Sequence, residues 1–274
     1  MIRPGGRISS YESQGDLMRL RALFRTGLAA TLAVGGLAAA ALVAPAAQAA
    51  TGNLRITGVV VNGGKDIVLG TAAKKVTVTA TVSEDSPLTE VWLDLEQQFG
   101  DDLKFHVHGL ATCSGTGMVK TCSRSFTLDP RSDMIANTSA GPNGWRAYAQ
   151  VEAKDGDFQS GYFPSVGLRR QTVVTMDAGP EPVRKGATLT AYGRLTAANW
   201  NTNTWTGLSG QSVQLQYCAY PCKAYTTVRT VKTNSTGHLK SSLTASADGY
   251  WRWYYPATTW AQPYVSNADF IDVR

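Results

Sequence analysis

Residues Lys75 to Val82 read Lys-Val-Thr-Val-Thr-Ala-Thr-Val, "KVTVTATV". Val76, Val78, Ala80 and Val82 share one parity; Lys75, Thr77, Thr79 and Thr81 share the other. Side chains on an extended strand alternate between its faces, so this order makes one apolar and one polar face. Valine and threonine branch at Cβ, which favours the pleated surface over a helix. The stretch predicts a strand buried on one side.

The same period of two recurs outward from it. "VWLDLE" sets Val91, Leu93 and Leu95 against Trp92, Asp94 and Glu96. "WRAYAQVEA" sets Trp145, Ala147, Ala149, Val151 and Ala153 against Arg146, Tyr148, Gln150 and Glu152. "SVQLQYC" sets Val213, Leu215 and Tyr217 against Gln214, Gln216 and Cys218. Turn residues return about every ten positions and no helical stripe appears, a pattern that predicts antiparallel β-sandwiches.

The first 50 residues read differently. Arg19, Arg21 and Arg25 precede an uncharged run from Gly27 to Ala44, and Ala47-Gln48-Ala49 has the small-x-small form of a signal-peptidase site. This predicts a signal peptide over residues 1–50, with Met18 as an alternative start, and cleavage before Ala50 or Thr51. The competing reading is an uncleaved anchor, since the run is long enough to span a bilayer; its Ala and Gly content and the cleavage motif argue for export without stable membrane insertion. The formal charge of the chain is +6, and Arg3, Arg7, Arg19, Arg21 and Arg25 stand against only Glu12 and Asp16 in the leader. Half of the excess therefore leaves with it. What remains is too dilute for nucleic-acid binding, which calls for a dense basic stripe.

About 225 residues remain, more than one sandwich of about 100 needs. A boundary near Arg170 divides them into residues 51–170 and 171–274, with Pro180 and Pro182 breaking ladder hydrogen bonds just beyond. All four cysteines follow the leader, where oxidation is the default. Four cysteines allow three pairings. The local one, Cys113 with Cys122 and Cys218 with Cys222, is favoured because each couple flanks a turn within one unit.

In the C-terminal half, "GATLTAYGRL" (186–195), "GQSVQLQYC" (210–218) and "TVRTVKTNSTGHLKSSLTASADGYWRWYY" (227–255) together resemble the immunoglobulin-like or transthyretin-like sandwich modules of exported bacterial proteins. With "ITGVVVNGG" at residues 56–64 and "GPEPVRKG" at 179–186, most of residues 54–274 is similar to secreted two-domain proteins of actinobacterial type. Some of those carry a calcium-binding label. The resemblance implies fold and export, and brings no catalytic residue with it.

Several side-chain groups are candidates for function. In "YWRWYY", five of six residues are aromatic. On a strand Trp251, Trp253 and Tyr255 share the core face, leaving Tyr250, Arg252 and Tyr254 outward, where a guanidinium can lie over a ring. Cross-strand aromatic pairing explains that face without a ligand. "NWNTNTWTGLSG" places Trp200 and Trp205 among amides and hydroxyls, the chemistry of sugar recognition; the plainer reading folds the rings over the end of the sandwich. Acidic spots at Glu84-Asp85, Asp101-Asp102 and Asp155-Gly156-Asp157 are candidate calcium loops. None has EF-hand spacing, and Asp-Gly-Asp is also a good tight turn. Of these, Glu84, Asp85, Asp155 and Asp157 are the expected calcium ligands. His106 and His108 share one strand parity but have no third ligand near in sequence.

With three histidines and no G-x-S-x-G, H-E-x-x-H or phosphate-cradling glycine loop, no catalytic constellation stands out. The sequence therefore predicts a secreted, non-catalytic binding or structural protein with no cofactor unless calcium. Its partner is an extracellular or envelope ligand that the residues do not identify. The alternatives are a calcium-binding protein using the first unit's acidic loops and a carbohydrate-binding module using the second unit's aromatics.

Overall fold

A computed structural model describes residues 49–99, 102–107, 109–132, 134–142, 145–164 and 166–274, with backbone alone for 49–50, 98–99 and 102–107. The leader expected over residues 1–50 therefore lies almost wholly outside the described residues. So do Asp101, His108 and the side chains of Asp102 and His106.

The described residues form strands, two short 3-10 turns and no α-helix. Lys74–Ser83 is the central strand of the first layer. It pairs antiparallel with Arg55–Val61 on one side and Val119–Leu128 on the other, and Thr112–Ser114 extends that edge. Val76, Val78, Ala80 and Val82 are buried, as their parity requires. The facing layer runs Ala49–Thr51, Phe158–Pro164, Trp145–Ala153, Leu88–Phe99 and Asp102–Val107. Leu93, Leu95, Ala147, Ala149 and Val151 of this layer share one apolar cluster with the first. Two antiparallel sheets closed face to face over one core make an Ig-like sandwich.

The second sandwich repeats the plan with different strands. Thr188–Asn199 is its long organising strand, paired antiparallel with Thr172–Val174, Asp177–Gly179, Thr204–Gly207 and His238–Thr244. The opposing sheet places Ser212–Ala219 between Thr226–Lys232 and Gly249–Tyr255, with Tyr264–Val265 and Asp269–Ile271 beyond. Leu189, Leu195, Val213, Leu215, Trp251 and Trp253 fill the second core. The turn at Asn234–Gly237 shows how sequence closes these hairpins. The Asn234 Oδ1 accepts the Thr236 and His238 amides, and Gly237 takes φ +85° where a Cβ would strike the Leu195 carbonyl oxygen.

One expectation fails on the outer face of Leu88–Phe99. Asp94 and Glu96 have the polar parity yet are buried. Two arginines cover them: Arg124, from the other layer, lies 3.7 Å from Asp94, and Arg146, from the paired strand, lies 3.1 Å from Glu96 while stacking over Tyr162. Alternation sets which face a side chain takes, not what covers that face. Both disulfides are local, joining Cys113 to Cys122 and Cys218 to Cys222.

Candidate functional site

Three places bring the candidate residues together. The first is the seam where the chain passes from one core to the other. Leu168–Arg170 adds a short parallel strand to Ile67–Leu69, and the next residue, Gln171, donates its amide to the Leu69 carbonyl. The Asn-rich loop after Thr188–Asn199 then returns to the first sandwich. Trp200 is 3 % exposed and belongs to the first core, although it sits in the loop that follows a strand of the second. Its indole N–H donates to the Gly70 carbonyl at 3.0 Å. Asn137 receives the Trp200 amide on its Oδ1 and donates its own amide groups to Asn199 and Asn201. Arg170 donates to the Ala198 carbonyl at 2.6 Å and lies over the Trp260 ring. Burial pushes the Arg170 guanidinium downward, with Tyr255 opposing.

This placement corrects the reading of Trp200 as part of a ligand face. The loop's polar composition suggests exposure, but its asparagines cap backbone groups of the seam, which lets the indole sink into the neighbouring core. Trp205 stays 40 % exposed, on the rim of an open cleft beside Gly70, Gln171 and Gln262. The two tryptophans of this stretch, one in the loop and one on the strand Thr204–Gly207, thus have opposite fates and make no common platform.

The second place is the outer face of Gly249–Tyr255. Burial alternates strictly along it: Trp251, Trp253 and Tyr255 are buried, and Tyr250, Arg252 and Tyr254 are half-exposed. The Trp253 indole N–H donates to the Tyr192 carbonyl, so the largest buried side chain leaves no polar atom unmet. On the outside, Arg252 lies 3.6 Å over the Tyr225 ring and donates to Gln216 at 2.8 Å. Tyr250 packs on Phe270, which also meets Tyr220 edge-on. Tyr220 is 62 % exposed, between the paired cysteines Cys218 and Cys222. The sequence pointed to Tyr250, Arg252 and Tyr254; Tyr220, Tyr225 and Phe270 come from other segments and were missed.

The third place is the corner where the N-terminal segment, the Glu84-Asp85 turn and the Asp155-Gly156-Asp157 turn meet. One oxygen each of Glu84, Asp85 and Asp155 lies within 4.8 Å of the other two. Asp157 is turned elsewhere: its Oδ2 accepts the Asn53 amide at 2.6 Å and the Leu54 amide at 3.3 Å. Gly52, at φ +73°, lies so close to that carboxylate that a Cβ would overlap it. Glu84 is 1 % exposed. Its Oε1 accepts the Ser86 amide, and its Oε2 has no donor. Burial first, then the Asp85, Asp155 and Asp157 carboxyls, push Glu84 up against the opposing Ser86 amide. The neighbouring Glu84 carboxyl first, and then the Asn53 amide, hold Asp85 down.

No protein-family model matches the sequence, and no curated protein matches it. Among solved structures, the D00-D0 domain of intimin aligns over 78 % of this chain and 98 % of its own, at 12 % identity and TM-score 0.27. A red sea bream transglutaminase aligns over 82 % of this chain and 32 % of its own, at 12 % identity and TM-score 0.31. The ectodomain of mouse nectin-like molecule 4 aligns over 81 % and 64 %, at 10 % identity and TM-score 0.24. At such scores the fold rests on the strands and cores themselves, and no neighbour's role passes to this chain.

Proposed function

We propose that the chain is an exported, non-catalytic extracellular module whose two sandwiches work as one rigid body. The carrying observation is the seam: Trp200 of the second half is buried in the core of the first and hydrogen-bonded to its backbone. Such docking is costly to undo, since stripping a buried Trp to Ala costs about 3–5 kcal/mol. A rigid pair holds a surface at a fixed distance and angle, which suits a structural or binding role outside the cell. Two disulfides support an oxidising compartment. Expression of the full chain with its leader tests the export. The expected product begins at Ala50 or Thr51, carries no free thiol and is found outside the membrane. An intact leader on a membrane-bound product would contradict it.

A second reading concerns what the module touches. Tyr225 stacks against Arg252; Tyr250, Phe270 and Tyr220 pack in a row on the same strand's outer face, where Tyr254 also lies, and the Cys218–Cys222 disulfide fixes its end. Flat rings beside a guanidinium and the Gln214 and Gln216 amides suit stacking against sugar rings with hydrogen bonds at their edges.

A further inference from the structure

The acidic corner of the first sandwich contains a defect that folding alone leaves unexplained. Glu84 is buried, and its Oε2 receives no N–H or O–H. An unmet buried carboxylate oxygen is costly unless a cation or a proton meets it. Two basic side chains of this corner donate to backbone carbonyls. Lys120 Nζ donates to the Glu84 and Ser86 carbonyls, and Arg55 donates to the Gly52 and Leu54 carbonyls. No ion pair among the described residues includes Glu84, Asp85, Asp155 or Asp157. Carboxylates from two separate turns converge here, and no ion pair among the described residues takes them up.

The geometry points to one calcium ion held by Glu84, Asp85 and Asp155. Oxygen ligands sit about 2.4 Å from calcium, so two ligands on one ion are at most about 4.8 Å apart. The oxygens of Glu84, Asp85 and Asp155 meet that limit in all three pairs. All are hard carboxylate donors, and Asp85 and Asp155 are exposed, so water can complete a coordination number of six to eight. Calcium accepts six to eight oxygens in flexible geometry, whereas magnesium demands a near-ideal octahedron, so three carboxylates completed by water suit calcium better. Asp157 is a positioning residue. It binds the Asn53 and Leu54 amides, while the Asp157 amide donates to Asp155 Oδ1 at 3.2 Å. The Asn53 side chain in turn donates to Asp85 Oδ2 at 3.1 Å. The ion would therefore clasp the N-terminal segment, the Glu84-Asp85 turn and the Asp155–Asp157 turn at one point.

The rival occupant is a proton, with neutral Glu84 donating to Asp85. Glu84→Gln distinguishes the two, because its amide can donate to Asp85 as a protonated acid would but binds a cation poorly. Melting curves of the oxidised protein, made from the full chain, are compared in calcium chloride, magnesium chloride and EDTA, with calcium titrated calorimetrically. At calcium about 100 times its Kd, the midpoint is expected to rise by about 5–10 °C over EDTA. Magnesium should give a clearly smaller rise. Glu84→Gln should fold, melt in EDTA no lower than the parent, and lose the calcium rise. Asp155→Asn, at an exposed position, should fold and weaken calcium at least tenfold. Coincident parent curves in calcium and EDTA with no binding heat overturn the proposal in favour of the shared proton. A calcium rise that survives both substitutions overturns the site, and an equal rise in magnesium overturns the choice of ion. None of these outcomes bears on export or on the docking of the two sandwiches.

Discussion

Single residues divide here by what their polar atoms find. Trp253 and Trp200 are both buried indoles with a backbone carbonyl for the ring N–H, yet only Trp253 was readable as core. Trp253 sits at the centre of a strand whose alternation announces its inward face. Trp200 sits in an Asn- and Thr-rich loop, and nothing local says that Asn137, 63 positions earlier, will accept its amide. Glu84, Asp85 and Asp155 were legible as separate acidic spots, but not that Asp157 would be engaged by the Asn53 and Leu54 amides. At this scale the outer aromatic face makes its own prediction. Tyr250→Ala and Arg252→Ala leave the core untouched and should change stability by no more than about 1 kcal/mol. If the face stacks on sugars, each should weaken retention on an immobilised polysaccharide at least tenfold in affinity electrophoresis. Retention unchanged by both would remove this face from the account.

At the scale of elements, the period of two carried most of the information. Lys74–Ser83, Trp145–Ala153 and Gly249–Tyr255 bury the side chains their parity selects. What parity cannot report is the cover supplied from elsewhere, as Arg124 and Arg146 supply it over Asp94 and Glu96. The hairpin disulfides act at this scale too. Cys113 and Cys122 face each other across neighbouring strands, and Cys218–Cys222 closes a loop only four positions long. Chain-entropy arithmetic for loops this short gives about 2–3 kcal/mol per bridge. The Cys218→Ala/Cys222→Ala variant should lose about that much in urea unfolding, with its denaturant slope unchanged. A loss below about 0.5 kcal/mol would contradict that chain-entropy figure for this bridge.

For the whole molecule, the cores and the seam between them decide how the chain can work. The two clusters share no strand face, but Ala198 and Trp200 cross from the second half into the first, and the Leu168–Arg170 strand pairs with Ile67–Leu69 on its way out. A linker of two or three free residues would let the halves swing; this passage is instead hydrogen-bonded from Leu168 to Gln171. A rigid pair depends on that continuity, and backbone nitrogen-15 relaxation of the oxidised protein tests it directly. Amides of the two sandwiches should report one rotational correlation time, and Trp200→Ala should split it into two shorter ones. Two separate, shorter times in the parent protein would contradict the rigid pair.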